Sequence, residues 1–377
     1  MTSRNGADAA TRQRMAPGPE RQRAVGEWRR HIEEAEAATA RGELGRALAQ
    51  AKLAACSAER LGEPQRYFRT GIVLEALSLW GPAARLMATA ERIEAPEGLP
   101  EWDGTPLPEA TLLIIERRGE HIGRPLRFAR FIPIAAARVK RCIVLVEPRL
   151  VQLFRRSFPQ VEVRPHGVED AKAHAIADIV AGYRTLTRHF GFDDEAVRAG
   201  FTALRPDDAA RRDMRARYSR EARPLVGISW MSTNPKKQVP SLADWAGLMR
   251  SLDATYVALQ YGEIASDIIA LGEASGRSLI FDESVDPLRD LDSYAAQVAA
   301  MDAVVSISGT CVHMAGALGT PTVVPLDDTT RLYWPPAGSS LSWYPSVTFY
   351  RRRGRSWADA FEEVGARAAE LLRTPER

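Results

Sequence analysis

Apolar residues recur along this chain with two different periods, and the change of period divides it. Residues 24–95 keep helical spacing. "EWRRHIEEAEAATARGELGRALAQAKLAACSAERLG" sets Ala, Leu and Glu on helix faces and breaks at Gly42 and Gly62. "PQRYFRTGIVLEALSLWGPAARLMATAERIEAP" then predicts helix, a break near Gly81–Pro82, and helix again. A Pro/Gly cluster, "APEGLPEWDGTPLPEA", marks a boundary around residues 96–110. Beyond it, "TLLIIE" (111–116), "CIVLVE" (142–147) and "VEVRP" (161–165) are short runs that read as buried parallel strands. The intervening "RPLRFARFIPIAAARVKR" suits a helix restarted around Pro133, and helices are expected over most of 168–220. Residues 108–220 thus form a small βαβ domain.

The segment "RRDMRARYSREARP" leads into a second alternation over 224–355. Strands are expected at 225–230, 256–261, 278–283, 303–308 and 322–326, with helices at 241–252, 263–274, 292–301 and 311–318. Such alternation implies right-handed crossovers and a doubly wound α/β sheet. An amphipathic helix over 356–373 closes the chain. Ligands of these sheets bind beyond the carboxyl ends of the strands. The loops after Glu116, Trp230, Gln260 and Ser308 are therefore the places for chemistry.

Composition narrows the classes. The chain has 377 residues and a formal charge of +3, a surplus too small to suggest nucleic acid but compatible with a pocket for a phosphorylated ligand. Cys56, Cys142 and Cys311 lie far apart, which suits a reducing compartment and gives no disulfide or zinc framework. Residues 1–23 are polar, without a signal-length apolar core, and read as a disordered leader. No apolar run reaches the roughly 18 residues a membrane span requires, so a cytoplasmic protein is expected.

The strongest candidate motif is "AVVSISGTCVHMAGALGTPTVV" (303–324). A strand runs into Ser308, Gly309 and Thr310, then a helix carries His313; hydroxyls, backbone N–H groups and the helix N-terminus together suit an anion. The structural alternative is a tight turn in which Ser and Thr merely cap the helix. In "VGISWMSTNPKKQVPSL" (226–242), Lys236 and Lys237 follow a strand, where they can neutralise a diphosphate or form a solvated basic loop. Gln260 can face a nucleoside. Asp290 and Asp292 precede a helix and read as its N-cap rather than as metal ligands; Asp327–Asp328 reads as a loop pair. "GEHIG" (119–123) follows the first strand but is not the dinucleotide fingerprint.

The helix–turn–helix pattern of 24–95, with small residues after Gly42 and Gly81, resembles degenerate tetratricopeptide units; two are fewer than the three or so a solenoid needs. A helical cap on the next domain and a protein-binding groove are both open. "PEWDGTPLPEATLLIIE", "RFARFIPIAAARVKRCIVLVEPRLVQLFRRSFPQVEV", "VGISWMSTNP", "SISGTCVHMAGALGTPTVV" and "WYPSVTFYRRRGRSWADAFEEV" together resemble the glycosyltransferase-like region of bacterial tetratricopeptide-repeat proteins. That region is similar to the heptosyltransferases and, more distantly, to O-GlcNAc transferases. The resemblance runs from about Pro100 to Leu372. It implies a GT-B fold of two Rossmann-like lobes, a sugar nucleotide held mainly by the second, no metal, and a last helix crossing back onto the first.

Three positions depart from the family pattern. Its aspartate and threonine before the histidine are replaced by Ser308 and Gly309, while His313 and "AGALG" match. The Gly-Asp pair before "FAR" reads Gly123–Arg124, and in heptosyltransferases that aspartate serves as the base. A general base contributes roughly 10²–10⁴-fold, about 3–5 kcal/mol of barrier, which an arginine cannot supply.

The resulting expectation is an inverting, metal-independent transfer, hexosyl- or heptosyltransferase-like, with the nucleotide sugar as substrate and no cofactor. Lys236, Lys237, Gln260, Ser308, Gly309, Thr310 and His313 hold the donor; Glu120 or His121 acts as base; Arg124 contacts an acidic acceptor or phosphate. The helical region recruits a protein acceptor, or a glycan is used. The rivals are a non-catalytic GT-B scaffold and, further off, a nucleotide-sugar epimerase.

Overall fold

A computed structural model describes residues 15–77, 98–115, 122–167, 169–190, 201–219, 223–235, 237–327 and 343–373, together with 79, 82, 83, 86, 87, 334, 340 and 341. Three N-terminal helices, α1 (Pro19–Arg41), α2 (Leu44–Leu61) and α3 (Pro64–Ala76), precede the sheets. The first two stop where the sequence predicts, at Gly42 and Gly62, whose φ values of 77° and 67° suit the left-handed C-cap that glycine adopts without a Cβ penalty. Ala47, Ala51, Ala54 and Ala58 line one buried face of α2 and let it lie close against Trp28, Ile32, Ala35 and Ala38 of α1. Helix α1 starts at Pro19, inside the expected leader; residues 1–14 lie outside the described part.

The first lobe holds a parallel four-stranded sheet, β1 (Leu107–Ile115), β2 (Val139–Val146), β3 (Glu162–Pro165) and β4 (Ile179–Gly182), in the order β3-β2-β1-β4. Alternate residues face two cores: Leu112, Ile114, Cys142 and Val144 one way, Leu113, Ile143, Leu145 and Val180 the other. Between β1 and β2 the helix indeed restarts: α4 (Gly123–Phe128), a 3₁₀ turn at Ala129–Phe131, and α5 (Ile132–Ala136) with Pro133 in its first turn. The expectation that helix fills most of 168–220 is corrected. Strand β4 lies there, beside short helices α7 (Asp170–His174), α8 (Leu186–Phe190) and α9 (Asp208–Tyr218), after α6 (Val151–Ser157). Four residues, Ile179 to Gly182, are too few to show a period, yet pairing with β1 satisfies their backbone.

The second lobe is a seven-stranded sheet in the order β10-β11-β9-β8-β5-β6-β7. Its strands are β5 (Leu225–Ser229), β6 (Thr255–Ala258), β7 (Leu279–Ile280), β8 (Ala303–Ser306), β9 (Thr322–Leu326), β10 (Ser340–Leu341) and β11 (Tyr344–Arg351), with β10 alone antiparallel to its neighbour. Helices α10 (Leu242–Ser251), α11 (Ala265–Ser275), α12 (Leu291–Ala299) and α13 (Thr310–Leu318) alternate with them as expected. Chain order reverses between β5 and β8, so the crevice at their carboxyl ends is a topological switch point. Strand β11 extends the sheet beyond the predicted β9.

The last helix, α14 (Trp357–Arg373), does not cross back. It packs on α10 and on strands β8, β9 and β11 of its own lobe, with the Phe361 ring edge-on to Trp245 at 5.1 Å. Its apolar face, Phe361, Val364 and Ala368, completes the core beneath Trp245 and Leu248, and that burial decides its place.

Candidate functional site

At the switch point, β8 ends in buried Ser306, and Ser308–Gly309 turn into α13. Gly309 is the N-cap and, among the described residues, no side chain bonds to the first N–H groups, so the capping reading of Ser308 and Thr310 does not hold there. The helix therefore keeps open donors at its positive end. Lys237 reaches across from the loop after β5 and donates from Nζ to the Ser308 carbonyl at 2.5 Å. Burial pulls the Lys237 ammonium below its usual pKa, and the nearby Asp327 opposes that shift. Asp327, itself buried, accepts from the Gln238 amide at 2.8 Å and pins the lysine loop at the end of β9. Its neighbour Asp328 lies outside the described residues.

Aromatic side chains cover this turn. Trp334 Nε1 donates to Ser308 Oγ at 2.8 Å, its ring stacks on Phe349 at 4.8 Å, and its other neighbour is His313 at 5.1 Å. His313 Nδ1 lies 2.9 Å from the Tyr344 hydroxyl. Lys237 and Ser308 meet here, Gly309 and Thr310 follow in the turn, and His313 stands one turn further along α13. Lys236, Glu120 and His121 lie outside the described residues. Gln260 is redirected: its Oε1 accepts from Ser229 Oγ and from the Trp230 and Met231 amides, each at 3.0 Å, so it holds the loop after β5 and does not present that oxygen to a ligand. Asp290 caps α12 as expected, accepting from the Asp292 and Ser293 amides, and Asp292 takes a bidentate contact from Arg156 on α6 of the other lobe.

The lobes meet tightly beside the site. Helix α13 packs on α4, and a Cβ built on Gly123 would stand 2.5 Å from His313 Cδ2 and 2.8 Å from its Nε2. Glycine is required at 123 by this approach, not by its backbone angles. Arg124, half-buried, follows it in the first turn of α4. Deeper in the seam Trp343 meets Phe128 and Phe131 edge-on at 5.2 and 6.0 Å, all three fully buried. The guanidinium carbons of Arg127 and Arg130 sit 4.7 and 5.4 Å from the Trp343 ring centre. Burial pushes Arg130 down to about 10 despite the favourable Tyr344 nearby.

Arg127 is tied to the helical region: Glu75 of α3 accepts from Arg127 and Arg184 at 2.9 Å each, and all three side chains are buried. The helices therefore cap the first lobe through an ion triad. Trp334, Trp343, Tyr344 and Glu75 are the site and seam residues that sequence reasoning missed. The first three stand in "LYWPP" and "SWYPS", aromatics clustered between strands; Glu75 left no comparable signal.

The geometry offers backbone donors, a half-buried ammonium and an imidazole to an anionic group.

No protein-family model matches the chain. It is 28% identical over 270 residues to Protein FlbA of Caulobacter vibrioides, covering 65% of this chain and 44% of that protein, so the chain spans less than half the length of the curated relative it matches. The crystal structure of the glycosyl transferase family 9 protein from Veillonella parvula superimposes with a TM-score of 0.50 at 13% identity, over 71% of this chain and 98% of that one. E. coli ADP-heptose lps heptosyltransferase II gives 0.46 at 13% identity, over 70% and 99%. The chain has the GT-B fold, two parallel α/β lobes preceded by helices. Among the described residues, no helix is long and apolar enough to cross a membrane.

Proposed function

We propose that the chain is a glycosyltransferase that takes a sugar from a nucleotide-activated donor and transfers it, with inversion and without a metal, to a protein or glycan acceptor. The observation that carries this reading is the meeting of Lys237 and Ser308 ahead of Gly309, Thr310 and His313 at the β5/β8 switch point. A diphosphate displacing the Ser308 carbonyl from Lys237 gains an ammonium and the open N–H groups of α13 together. Likeness of fold to a family 9 glycosyltransferase supports the same class. Arg124 then meets an acidic acceptor or phosphate, Glu120 or His121 supplies the base, and the tetratricopeptide-like helices recruit a protein acceptor.

Calorimetric titration of the full chain with ADP, UDP and their hexose and heptose conjugates tests the donor site. Binding is expected, and Lys237→Met weakens it about 10-fold or more, the worth of a charged hydrogen bond of about 1.5–3 kcal/mol. No binding across the panel rejects the proposal. A second reading, a GT-B scaffold that binds without catalysing, is favoured by Ser308 and Arg124 replacing family carboxylates and by the close seam at Gly123. Donor binding with no transfer of labelled sugar to any acceptor decides for it.

A further inference from the structure

Among the described residues the two lobes are joined in three places. At the first, α4 packs on α13, Phe128 and Phe131 meet Trp343, and residues of both lobes share one apolar core. At the second, Arg156 of α6 donates from both terminal nitrogens to the two carboxylate oxygens of Asp292, in the first turn of α12, at 2.8 Å each. Arg149, just before α6, donates from Nη1 to the carbonyls of Pro287 and Leu288 at 3.3 and 3.1 Å. At the third, the segment ahead of α9 is bonded to both lobes. The Leu204 amide donates to the Ala317 carbonyl at 2.8 Å, and the Arg205 amide to Ser157 Oγ at 2.9 Å. Arg156 ties the last two places together, because its Nη1 also reaches the Arg205 carbonyl at 3.3 Å.

Lobes within one chain move against each other by default unless the interface between them is large and apolar. An exposed ion pair resists such motion little. This one differs in being bidentate, with side chains only 30% and 19% exposed. A guanidinium laid against a carboxylate must keep both distance and plane, so the pair opposes rotation as well as separation. Arg149 adds contacts to backbone carbonyls, which cannot follow it by changing rotamer. Turning the lobes about the apolar seam strains both arginines; turning them about the arginines opens the seam to water.

We propose that Arg149 and Arg156 form a latch that, together with the apolar seam, holds the two lobes as one rigid unit, so that the crevice between them keeps one width with or without ligand. With the latch released, the apolar seam becomes a hinge. Arg156 is thus a positioning residue for the whole second lobe, whatever the crevice binds.

Double electron–electron resonance between nitroxides on the two lobes of the full chain measures this. The labels go on Ala171→Cys in the first lobe and Ala358→Cys in the second, both exposed positions. Cys56→Ser removes the exposed thiol, while Cys142 and Cys311 are buried. The labelled parent is expected to give one narrow distance, the same alone and with ADP or UDP. A broad or two-peaked distribution in the parent, or a shift on adding nucleotide, overturns the proposal. Arg149→Met with Arg156→Met should add a second, longer distance; an unchanged distribution there removes the latch. Should the double variant lose its cooperative thermal transition, Asp292→Asn replaces it, since it weakens the same bond from the other lobe and leaves the Asp290 cap in place. A widened distribution in Asp292→Asn supports the latch, and an unaltered one overturns it.

Discussion

Exchange of Glu75 for glutamine removes the carboxylate that two buried guanidiniums share. The side chains of Glu75, Arg127 and Arg184 are 6%, 5% and 4% exposed, so water cannot replace the lost charge. Breaking a buried pair by removing one partner costs about 3–5 kcal/mol, because the remaining charge keeps its desolvation penalty. Glutamine retains the shape and one acceptor oxygen, which places its cost near the lower bound, about 3 kcal/mol. The bonds cross from α3 to the first lobe, so the loss falls on the docking of the helical region rather than evenly over the chain. Amides of α3 are expected to exchange about 100-fold faster under native conditions, since each 1.4 kcal/mol is a factor of ten. Hydrogen–deuterium exchange resolved by segment reads this directly, with α10 and α14 of the second lobe as internal controls. Replacing the triad together, Glu75→Leu with Arg127→Met and Arg184→Met, should recover most of the protection, because apolar replacement of whole buried ion clusters is often neutral or better. Unchanged exchange in α3 of Glu75→Gln, or a triple variant worse than the single one, refutes the argument.

Two more outcomes follow from packing and capping. Gly123→Ala drives a methyl to 2.5 Å from His313 Cδ2, a ring held by Tyr344 and Trp334, and should cost about 1–3 kcal/mol in urea unfolding; a cost near zero means the lobes separate freely. Asp207 caps α9 through the Ala209 and Ala210 amides, and Asp207→Ala should cost about 1 kcal/mol at pH 7. The Ala210 amide is the largest influence holding the Asp207 carboxyl below its usual pKa. A group lowered on folding stabilises fully above its unfolded pKa, about 3.9, and ceases to as the pH falls through the folded value. The gap between wild type and Asp207→Ala therefore closes progressively in acid, and a gap that widens there contradicts the assignment.

Local pattern carried much of this molecule. The breaks at Gly42 and Gly62, the restart at Pro133, the alternation over 225–326 and the Asp290 cap all depend on neighbours within one or two turns, and the chain states such neighbours outright. The loop after β8 was legible for the same reason: a strand, two small residues and a helix N-terminus are contiguous. Tertiary structure alone decided the rest. Strand β4 exists because β1 offers it backbone partners, and the last helix stays on its own lobe because Trp245 and Leu248 leave a face for Phe361 and Val364. Gln260 holds a loop because three donors from β5's end reach it, and Gly123 matters because His313, far along the chain, arrives against it. Periodicity encodes which face of an element is apolar; which distant face covers it, and which charges are trapped between them, is settled only when whole surfaces compete for burial.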